Sequence, residues 1–446
     1  MKDLNKELIS FIESSPSMFH SSATICRYLA DAGFEKLEEG KEWKIKKGGK
    51  YFVTRNNSST LAFDIPKEIK DYHFQIVASH GDSPTYKVKA VPELSGPAEY
   101  LRLDVEGYGG MIDSTWLDRP LSVAGRVLVR EKGDADYILP EEKIVSKLLY
   151  IDKDILLIPS LCIHMNREAN SGYAYNRAVD LCPLFSAGEL KKGDFDKMVA
   201  KELKVKVEDI VSKDLFLVNR QEGKVWGYKK EFVSVPKLDD LQAAFASLKG
   251  FLSSENKGCI NVYVCFDNEE VGSGTKQGAA STFMKDVFER INEQLGKGNE
   301  DLRVALAKSF LVSFDNAHAL HPNHPEKSDS VNQCYMNKGI VIKENAAQHY
   351  TTDAFSRAVF LEICKKAQVP TQVFANRSDM AGGGTLGNIS NMQVSLHAVD
   401  IGIAQLAMHS SYETAGSKDT EYAVNAVKEF YSSMVSIEDS DSIKIS

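Results

Sequence analysis

The sequence predicts an α/β protein with an inserted, mainly β domain, and three observations predict this class. Toward both ends of the 446-residue chain, apolar strand-like runs alternate with segments of helical periodicity. Several of these runs end abruptly in glycine and in acidic or histidine residues, as strands do where they enter loops. In between, short strand-like segments are separated by Gly, Pro and Asp turns. We therefore predict an α/β domain formed by residues 1–89 and 236–446, interrupted by a β domain over 90–235.

Composition excludes several classes of protein. Hydrophobic residues make up 43% of the chain and charged residues 26%, which is typical of a folded globular protein. The net charge of -8, without a concentrated basic block, argues against nucleic acid or an anionic membrane as a partner. Seven scattered cysteines without a Cys-x-x-Cys pair indicate reduced thiols. Because the charged N-terminus lacks a signal-peptide core and no apolar run reaches membrane-spanning length, we expect a cytoplasmic protein.

The first part of the chain predicts helices followed by strands. Apolar residues between Leu4 and Ala30 recur at helical spacing, with a break near Pro16 that predicts two helices. Strands are predicted over 51–54, 60–63 and, most strongly, 73–79. The last of these runs into His80-Gly81-Asp82. A metal-bound imidazole usually donates its other N–H to a carboxylate, so this order suits a metal ligand, although a structural His–Asp pair is the commoner occurrence.

The predicted insertion offers one candidate functional residue. Its strands are predicted over 101–105, 121–130 and 155–158. His164 stands alone in the segment that follows, and the residues by themselves favour a structural histidine there. The charged region 191–213 is compatible with a helix, which we interpret as a solvated face.

Beyond Pro236 the helix–strand alternation returns. Residues 237–248 predict a helix with Asp239 and Asp240 in its first turn, where N-capping is the simplest role. A buried strand over 260–266 then ends in Asp267, Glu269 and Glu270, just before a Gly-Ser-Gly turn. Ligands of open α/β sheets bind outside the carboxyl ends of strands. One of two adjacent carboxylates can hold a cation there while the other moves protons, although a solvated acidic loop is the general alternative.

Two further segments deliver possible ligands. A strand over 309–314 ends in Asp315 and is followed by His318, His321 and His324. One acid and three histidines delivered together at a strand end favour a site over a purely structural loop. Near the C-terminus, His409 closes an apolar segment that precedes a final helix over 420–434.

Taken together, strand-end loops from distant parts of the chain each supply one metal ligand. The candidates are His80, Asp239, Glu270, Asp315 and His409. Imidazole and carboxylate ligands suit zinc, with manganese or cobalt as substitutes. Two divalent ions that share a bridging carboxylate would lie about 3.5–4 Å apart and would acidify a bridging water for attack on an amide.

The same segments resemble the aspartyl aminopeptidase family of dinuclear zinc peptidases. The matching motifs, in the family's order, are His80-Gly81-Asp82, 117–127 inside the insertion, Lys237-Leu238-Asp239, 267–273, 313–323 and 405–410. The resemblance implies a zinc-peptidase catalytic domain with a mixed central sheet flanked by helices. It also implies that the inserted β domain serves oligomerisation and completes the active site.

The resemblance further implies two zinc ions per subunit. One ion would be held by His80, Asp239 and Asp315. The other would be held by Asp239, Glu270 and His409, so that Asp239 bridges the two. Asp82 would orient His80, and Glu269 would act as the general base.

Family members assemble as tetrahedral dodecamers built from dimers, which implies the same assembly here. A histidine at the position of His164 reaches a neighbouring active site and would stabilise the oxyanion. Lys343 and Tyr350 match positions that bind the substrate side chain. Two departures stand out: Asp240 replaces a common asparagine, and His349 replaces a common arginine. The second leaves the preferred N-terminal residue open between acidic and neutral or hydrophobic.

We therefore expect a metalloaminopeptidase that acts on peptides with free N-termini. One alternative is a metal-dependent deacylase or amidohydrolase on the same scaffold. Another is a non-catalytic assembly or cargo-binding protein that uses its metals only for structure. Glu269 argues against the latter, because a purely structural zinc site has no need of a base.

Overall fold

The computed structural model describes residues 3–132 and 142–446. Residues 133–141, which lie within the predicted insertion, fall outside the described residues. The chain forms two compact units. The first unit comprises Met1–Asp82, Gly223–Met408 and Glu413–Ser446, and the second comprises Ser83–Glu222 and His409–Tyr412. No helix in the described ranges has the length and apolar composition needed to cross a membrane.

The helices begin and end as follows. They are α1 Leu4–Glu13, α2 Met18–Asp31, α3 Arg177–Asp180, α4 Asp194–Leu203, α5 Leu238–Ser253, α6 Phe283–Gln294, α7 Asn299–Ala307, α8 Ala354–Lys366, α9 Leu386–Ser390 and α10 Asp419–Ser432.

The strands, in chain order, are β1 Glu35–Leu37, β2 Lys50–Arg55, β3 Ser59–Asp64, β4 Phe74–His80, β5 Thr85–Ser95, β6 Leu101–Tyr108, β7 Leu121–Lys132, β8 Glu142–Tyr150, β9 Leu184–Ser186, β10 Ile210–Asn219, β11 Lys224–Trp226, β12 Phe232–Val235, β13 Ile260–Phe266, β14 Phe310–Phe314, β15 Ala317–His318, β16 Ile340–Glu344, β17 Thr371–Ala375, β18 His397–Gly402, β19 Ala404–Leu406, β20 Glu413–Gly416, β21 Val435–Asp439 and β22 Ser442–Ile445.

A mixed sheet organises the first unit. Over the described ranges it has nine strands in the order β1-β2-β3-β13-β4-β14-β18-β16-β17. Strands β13, β4, β14 and β18 run parallel at its centre. Strands β4 and β13 are buried along their whole length, which explains their largely apolar sequences. Phe266 pairs with His80, so these two strands end together and send their following loops to the same edge of the sheet.

Helices cover both faces of this sheet. On one face, α1, α5 and α10 contribute Leu8, Phe245 and Phe430 to a large apolar core. On the other face, α6 packs through Phe288, whose ring stacks on Phe74 at 4.3 Å between centroids. The predicted α/β class, with a mixed central sheet flanked by helices, is confirmed.

The first unit also contains a smaller sheet. Over the described residues its order is β11-β12-β20-β19-β15. Glu413, the first residue of β20, pairs with Val235 at the end of β12, just before α5 begins. Gln405 on the neighbouring strand β19 pairs with Ala415. This sheet thus brings Gln405 and Glu413 toward the start of α5.

The second unit contains a separate antiparallel sheet and core. Among the described residues its order is β8-β7-β10-β5-β6-β9. The strand predicted over 155–158 is wrong, because Leu156 and Leu157 form only isolated bridges. The helix predicted within 191–213 is confirmed as α4, but its interpretation as a solvated face is wrong for Phe195 and Val199, which lie in the core, and β10 begins at Ile210.

Candidate metal centre

The loops after three parallel strands meet at one edge of the large sheet. His80 ends β4, Asp315 directly follows β14, and Glu269 and Glu270 lie in a single 3-10 turn after β13. Possible ligand atoms of His80, Asp239, Asp240 and Asp315 lie within 4.8 Å of one another, and the same holds for the set of His80, Glu269 and Glu270. The Nε2 atom of His80 is 3.4 Å from Oδ1 of Asp239 and 3.8 Å from Oδ1 of Asp315. The structure thus brings together a buried imidazole and several carboxylates from distant parts of the sequence.

Asp82 links the histidine to the glutamate pair. On the side of the ring opposite to Asp239, Nδ1 of His80 lies 3.2 Å from the backbone carbonyl oxygen of Asp82 and 3.4 Å from Oδ1 of its carboxylate. The same carboxylate accepts the backbone N–H groups of Glu269 and Glu270, each at 3.2 Å. Asp82 therefore contacts the imidazole ring through its carbonyl and carboxylate, and its carboxylate fixes the start of the turn that carries the two glutamates.

The N-capping interpretation of Asp239 and Asp240 is wrong. Their backbone angles are not helical, and the residue before α5, Lys237, makes no side-chain cap. Instead, Oδ2 of Asp240 accepts the backbone N–H of His80 at 3.1 Å. Its Oδ1 is buried and has no hydrogen-bond partner among the described residues. Asp240 thus joins the cluster. The adjacent acid was visible in the sequence, but the helix that follows made capping the simpler explanation.

Electrostatics in the cluster favour a bound cation. Burial and nearby carboxylates raise the pKa of Glu270 and of Asp240 well above the usual range, and they raise the pKa of Glu269 to about 7. Burial lowers the pKa of His80, but its contacts with Asp239 and two other carboxylates outweigh burial and raise it overall. A divalent cation would compensate the crowded acids, and imidazole with carboxylates is a donor set that zinc accepts. The residues present therefore fit zinc.

Lys343 and Tyr350 lie against the same edge. The buried Nζ of Lys343 donates to the backbone carbonyl of Asp315 at 2.9 Å and lies 3.4 Å from that of Asn316. It is also 3.5 Å from Oδ2 of Asp315 and 5.0 Å from the centre of the Tyr350 ring. Lys343 is therefore bound to the loop that carries Asp315.

The remaining sequence candidates are histidines, which lie in both units. His318, His321 and His324 are exposed, and in the described part of the chain none of them belongs to the buried ligand cluster. His164 is exposed in a loop of the second unit. His409 also belongs to the second unit, where its backbone carbonyl accepts the N–H of Ile112 at 3.0 Å.

Comparison with known proteins identifies the family. Residues 11–431 match the profile of the aminopeptidase I zinc metalloproteases, M18. A probable M18 family aminopeptidase 2 of Clostridium novyi is 46% identical, and the match covers 95% of this chain and 98% of that protein. Aspartyl aminopeptidase 1 of Schizosaccharomyces pombe is 36% identical, with 97% and 95% covered.

Solved structures of aminopeptidases share the fold of this chain. The chain superposes with a TM-score of 0.91 on a protein in the cryo-EM structure of the Ape4 and Nbr1 complex, at 35% identity, covering 97% of this chain and 86% of that one. It superposes with a TM-score of 0.80 on the mApe1 dodecamer of S. cerevisiae, at 26% identity and 96% coverage of both chains. The resemblance stated from sequence motifs is therefore confirmed over nearly the whole chain. This protein is a zinc-dependent aminopeptidase and belongs to the M18 family.

Proposed function

We propose that each subunit binds two zinc ions and uses them to hydrolyse the first peptide bond of its substrates, with manganese or cobalt as possible substitutes. One ion is held by His80, Asp239 and Asp315, and the other by Asp239, Glu270 and His409. The observation that supports this proposal best is the position of Asp82, which contacts the His80 ring through its carbonyl and carboxylate and binds the Glu269–Glu270 turn through that carboxylate. Neighbouring glutamates can then serve separate purposes, one as ligand and one as base.

Glu269 is the proposed general base. When bound, zinc makes a water molecule nucleophilic near neutral pH and polarises the substrate carbonyl. Glu269 accepts a proton from the attacking water and returns it to the leaving amine nitrogen. Without metal, burial and neighbouring carboxylates raise its pKa to about 7, and bound cations would lower this pKa and so favour the carboxylate form that a base requires. The surrounding carboxylates also hold the free amine of the substrate, which selects N-termini over internal bonds.

The N-terminal residue of the substrate is proposed to be neutral or hydrophobic. An ammonium group has three donors, and Nζ of Lys343 has three oxygen atoms of Asp315 and Asn316 within 3.5 Å. Little of its hydrogen-bonding capacity is left for a substrate carboxylate. Tyr350, buried beside Lys343, offers an apolar ring to the first side chain.

A substrate panel tests this preference. With zinc added, we expect kcat/KM for alanyl, leucyl and methionyl peptides to exceed that for aspartyl and glutamyl peptides by about 10-fold or more, because burying an unpaired carboxylate is costly. Higher kcat/KM for the acidic substrates would show that Lys343 or another cation recognises the side chain. N-acetylated versions of the same peptides serve as the control, since an aminopeptidase needs the free amine and a deacylase does not.

A second part of the proposal concerns the assembly of the subunits and their location in the cell. We infer a tetrahedral dodecamer in the cytoplasm, in which the inserted domain over 90–235 forms contacts between subunits and His164 completes a neighbouring site. The solved S. cerevisiae dodecamer has the same fold, which supports this inference. The exposure of Leu161, Ile163 and Met165 around His164 also suits a loop that another subunit covers.

Complementation between two inactive variants tests the shared site. His164→Ala alone should lower kcat by about 10²–10³-fold if the imidazole stabilises the oxyanion. When His164→Ala and Glu269→Gln subunits are dissociated, mixed in equal amounts and reassembled, about a quarter of the sites should combine both intact residues and recover activity.

The control for that mixture replaces the Glu269→Gln partner by the double variant His164→Ala/Glu269→Gln, which has no imidazole to offer. Equal activity in the two mixtures would mean that His164 acts within its own subunit or not at all.

A further inference from the structure

A network of hydrogen bonds surrounds the peptide bond that precedes Asp239, and Oε1 of Gln242 also belongs to it, 3.2 Å from Nδ2 of Asn316. The carbonyl of Leu238 accepts from Nδ2 of Asn316 at 3.1 Å, and the N–H of Asp239 donates to Oε2 of Glu413 at 3.0 Å. These two groups belong to the same peptide unit. Nδ2 of Asn316 also donates to Oε1 of Gln405 at 2.7 Å, and Nε2 of Gln405 donates to Oε1 of Glu413 at 3.3 Å. The four contacts form a ring, called here the Leu238–Asp239 clamp.

The direction of every hydrogen bond in the clamp is set by the backbone. The Leu238 carbonyl can only accept, so Asn316 must present its amide N–H₂ group to it. Gln405 must then turn its oxygen to Asn316 and its N–H₂ group to Glu413. Glu413 must in turn accept twice, once from Gln405 and once from the N–H of Asp239. A carboxylate meets this requirement, whereas an amide at position 413 would place its N–H₂ group against either the N–H₂ group of Gln405 or the N–H of Asp239.

The clamp also joins the two aspartates near His80. Asn316 directly follows Asp315, whose backbone carbonyl is held by Nζ of Lys343 at 2.9 Å. The side chains of Asn316, Gln405 and Glu413 are at most 3% exposed, so water competes little for these hydrogen bonds. The clamp therefore fixes the backbone of Asp239 relative to that of Asp315.

We propose that Asn316, Gln405 and Glu413 are positioning residues that hold the proposed bridging ligand, Asp239, in the geometry that zinc requires. The inference rests on the proposed role of Asp239. Residues behind the ligands of a metal site typically change metal affinity by about 10–100-fold when they are altered. We expect the same range here, although none of the three would contact the metal.

The test compares Glu413→Gln with the exchange variant Gln405→Glu/Glu413→Gln in the assembled enzyme. Zinc affinity is measured by chelator competition, and thermal unfolding is measured for the metal-free and zinc-loaded forms. Glu413→Gln places an N–H₂ group against another hydrogen-bond donor and should weaken zinc binding about 10–100-fold. Zinc should then raise the Tm of this variant less than it raises the Tm of the unaltered enzyme. The exchange variant restores each donor–acceptor pair without changing net charge, so its zinc affinity should return to within about 3-fold of the original.

Gln75→Glu is the matched control for a buried amide that has only a structural role. Nε2 of Gln75 donates to the carbonyls of Phe430 and Ser433 at 2.9 and 3.0 Å, in the apolar part of the first unit. This variant should lower Tm equally with and without zinc and leave the zinc affinity of the folded protein unchanged.

The clamp would be overturned if folded Glu413→Gln bound zinc with normal affinity. It would also be overturned if Glu413→Gln and the exchange variant lost zinc affinity equally, or if neither of them folded. If only the single variant fails to fold, normal zinc affinity in the exchange variant supports the clamp and reduced affinity overturns it. Asp239→Asn separates this inference from the proposed function. If that variant kept both zinc ions, the bridging role itself would fail, whereas loss of zinc there combined with normal affinity in Glu413→Gln would reject only the clamp.

Discussion

Glu269→Gln is expected to lower kcat by about 10²–10⁴-fold, the usual contribution of a positioned general base. Glutamine has the same shape but cannot accept a proton from the attacking water. The backbone N–H of residue 269 would still donate to Asp82, so the turn should keep its position. Metal analysis should therefore find unchanged zinc content, while steady-state kinetics show the loss mainly in kcat.

A second glutamate of the same unit provides a control for the loss of one negative charge. Glu289 is an exposed glutamate of α6, and Glu289→Gln removes one negative charge on the surface of that helix. Its kcat and zinc content should match those of the unaltered enzyme. Near-normal turnover in Glu269→Gln would assign the base to another residue.

Asp239→Asn is expected to lower zinc affinity by at least about 100-fold, more than the loss caused by residues behind a ligand. An amide is a poor substitute for a carboxylate that is shared by two cations, and both proposed ions depend on this side chain. Elemental analysis after dialysis should find substoichiometric zinc, and kcat/KM should fall with it.

Asp240→Asn makes the matched comparison, because it changes a carboxyl group to an amide one residue further along. Asparagine can still accept the N–H of His80 through its side-chain oxygen, so this variant should retain both zinc ions. Two full zinc sites in Asp239→Asn, or equal loss in both variants, would contradict a bridging role specific to Asp239.

The sequence predicted those parts of the site that follow long buried strands. His80, Glu269, Glu270 and Asp315 each come just after an apolar run, and parallel strand ends bring such residues together. The fold class was also predictable from the sequence. Helix-like and strand-like periodicities are local properties of the chain, and they alternate on both sides of the insertion.

Other features depend on contacts that no local pattern reveals. Asn316, Gln405 and Glu413 are ordinary polar residues in sequence, and only the pairing of β12, β20 and β19 brings the last two near Asp239. Lys343 matched a substrate-binding position, yet its hydrogen bonds to the Asp315 loop became visible only in three dimensions. The strand predicted over 155–158 did not form because Leu156 and Leu157 bridge to two different strands, at Leu121 of β7 and Leu184 of β9, and neither bridge extends into a ladder.

The parallel strands that carry the proposed ligands are held by backbone ladders and by apolar cores on both faces of the sheet. Small zinc domains lack such a scaffold and fold only as the ion arrives. We therefore expect this polypeptide to fold before it binds its metal. Which cation then occupies the enzyme in a living cell is governed by the supply of free ions as well as by ligand preference.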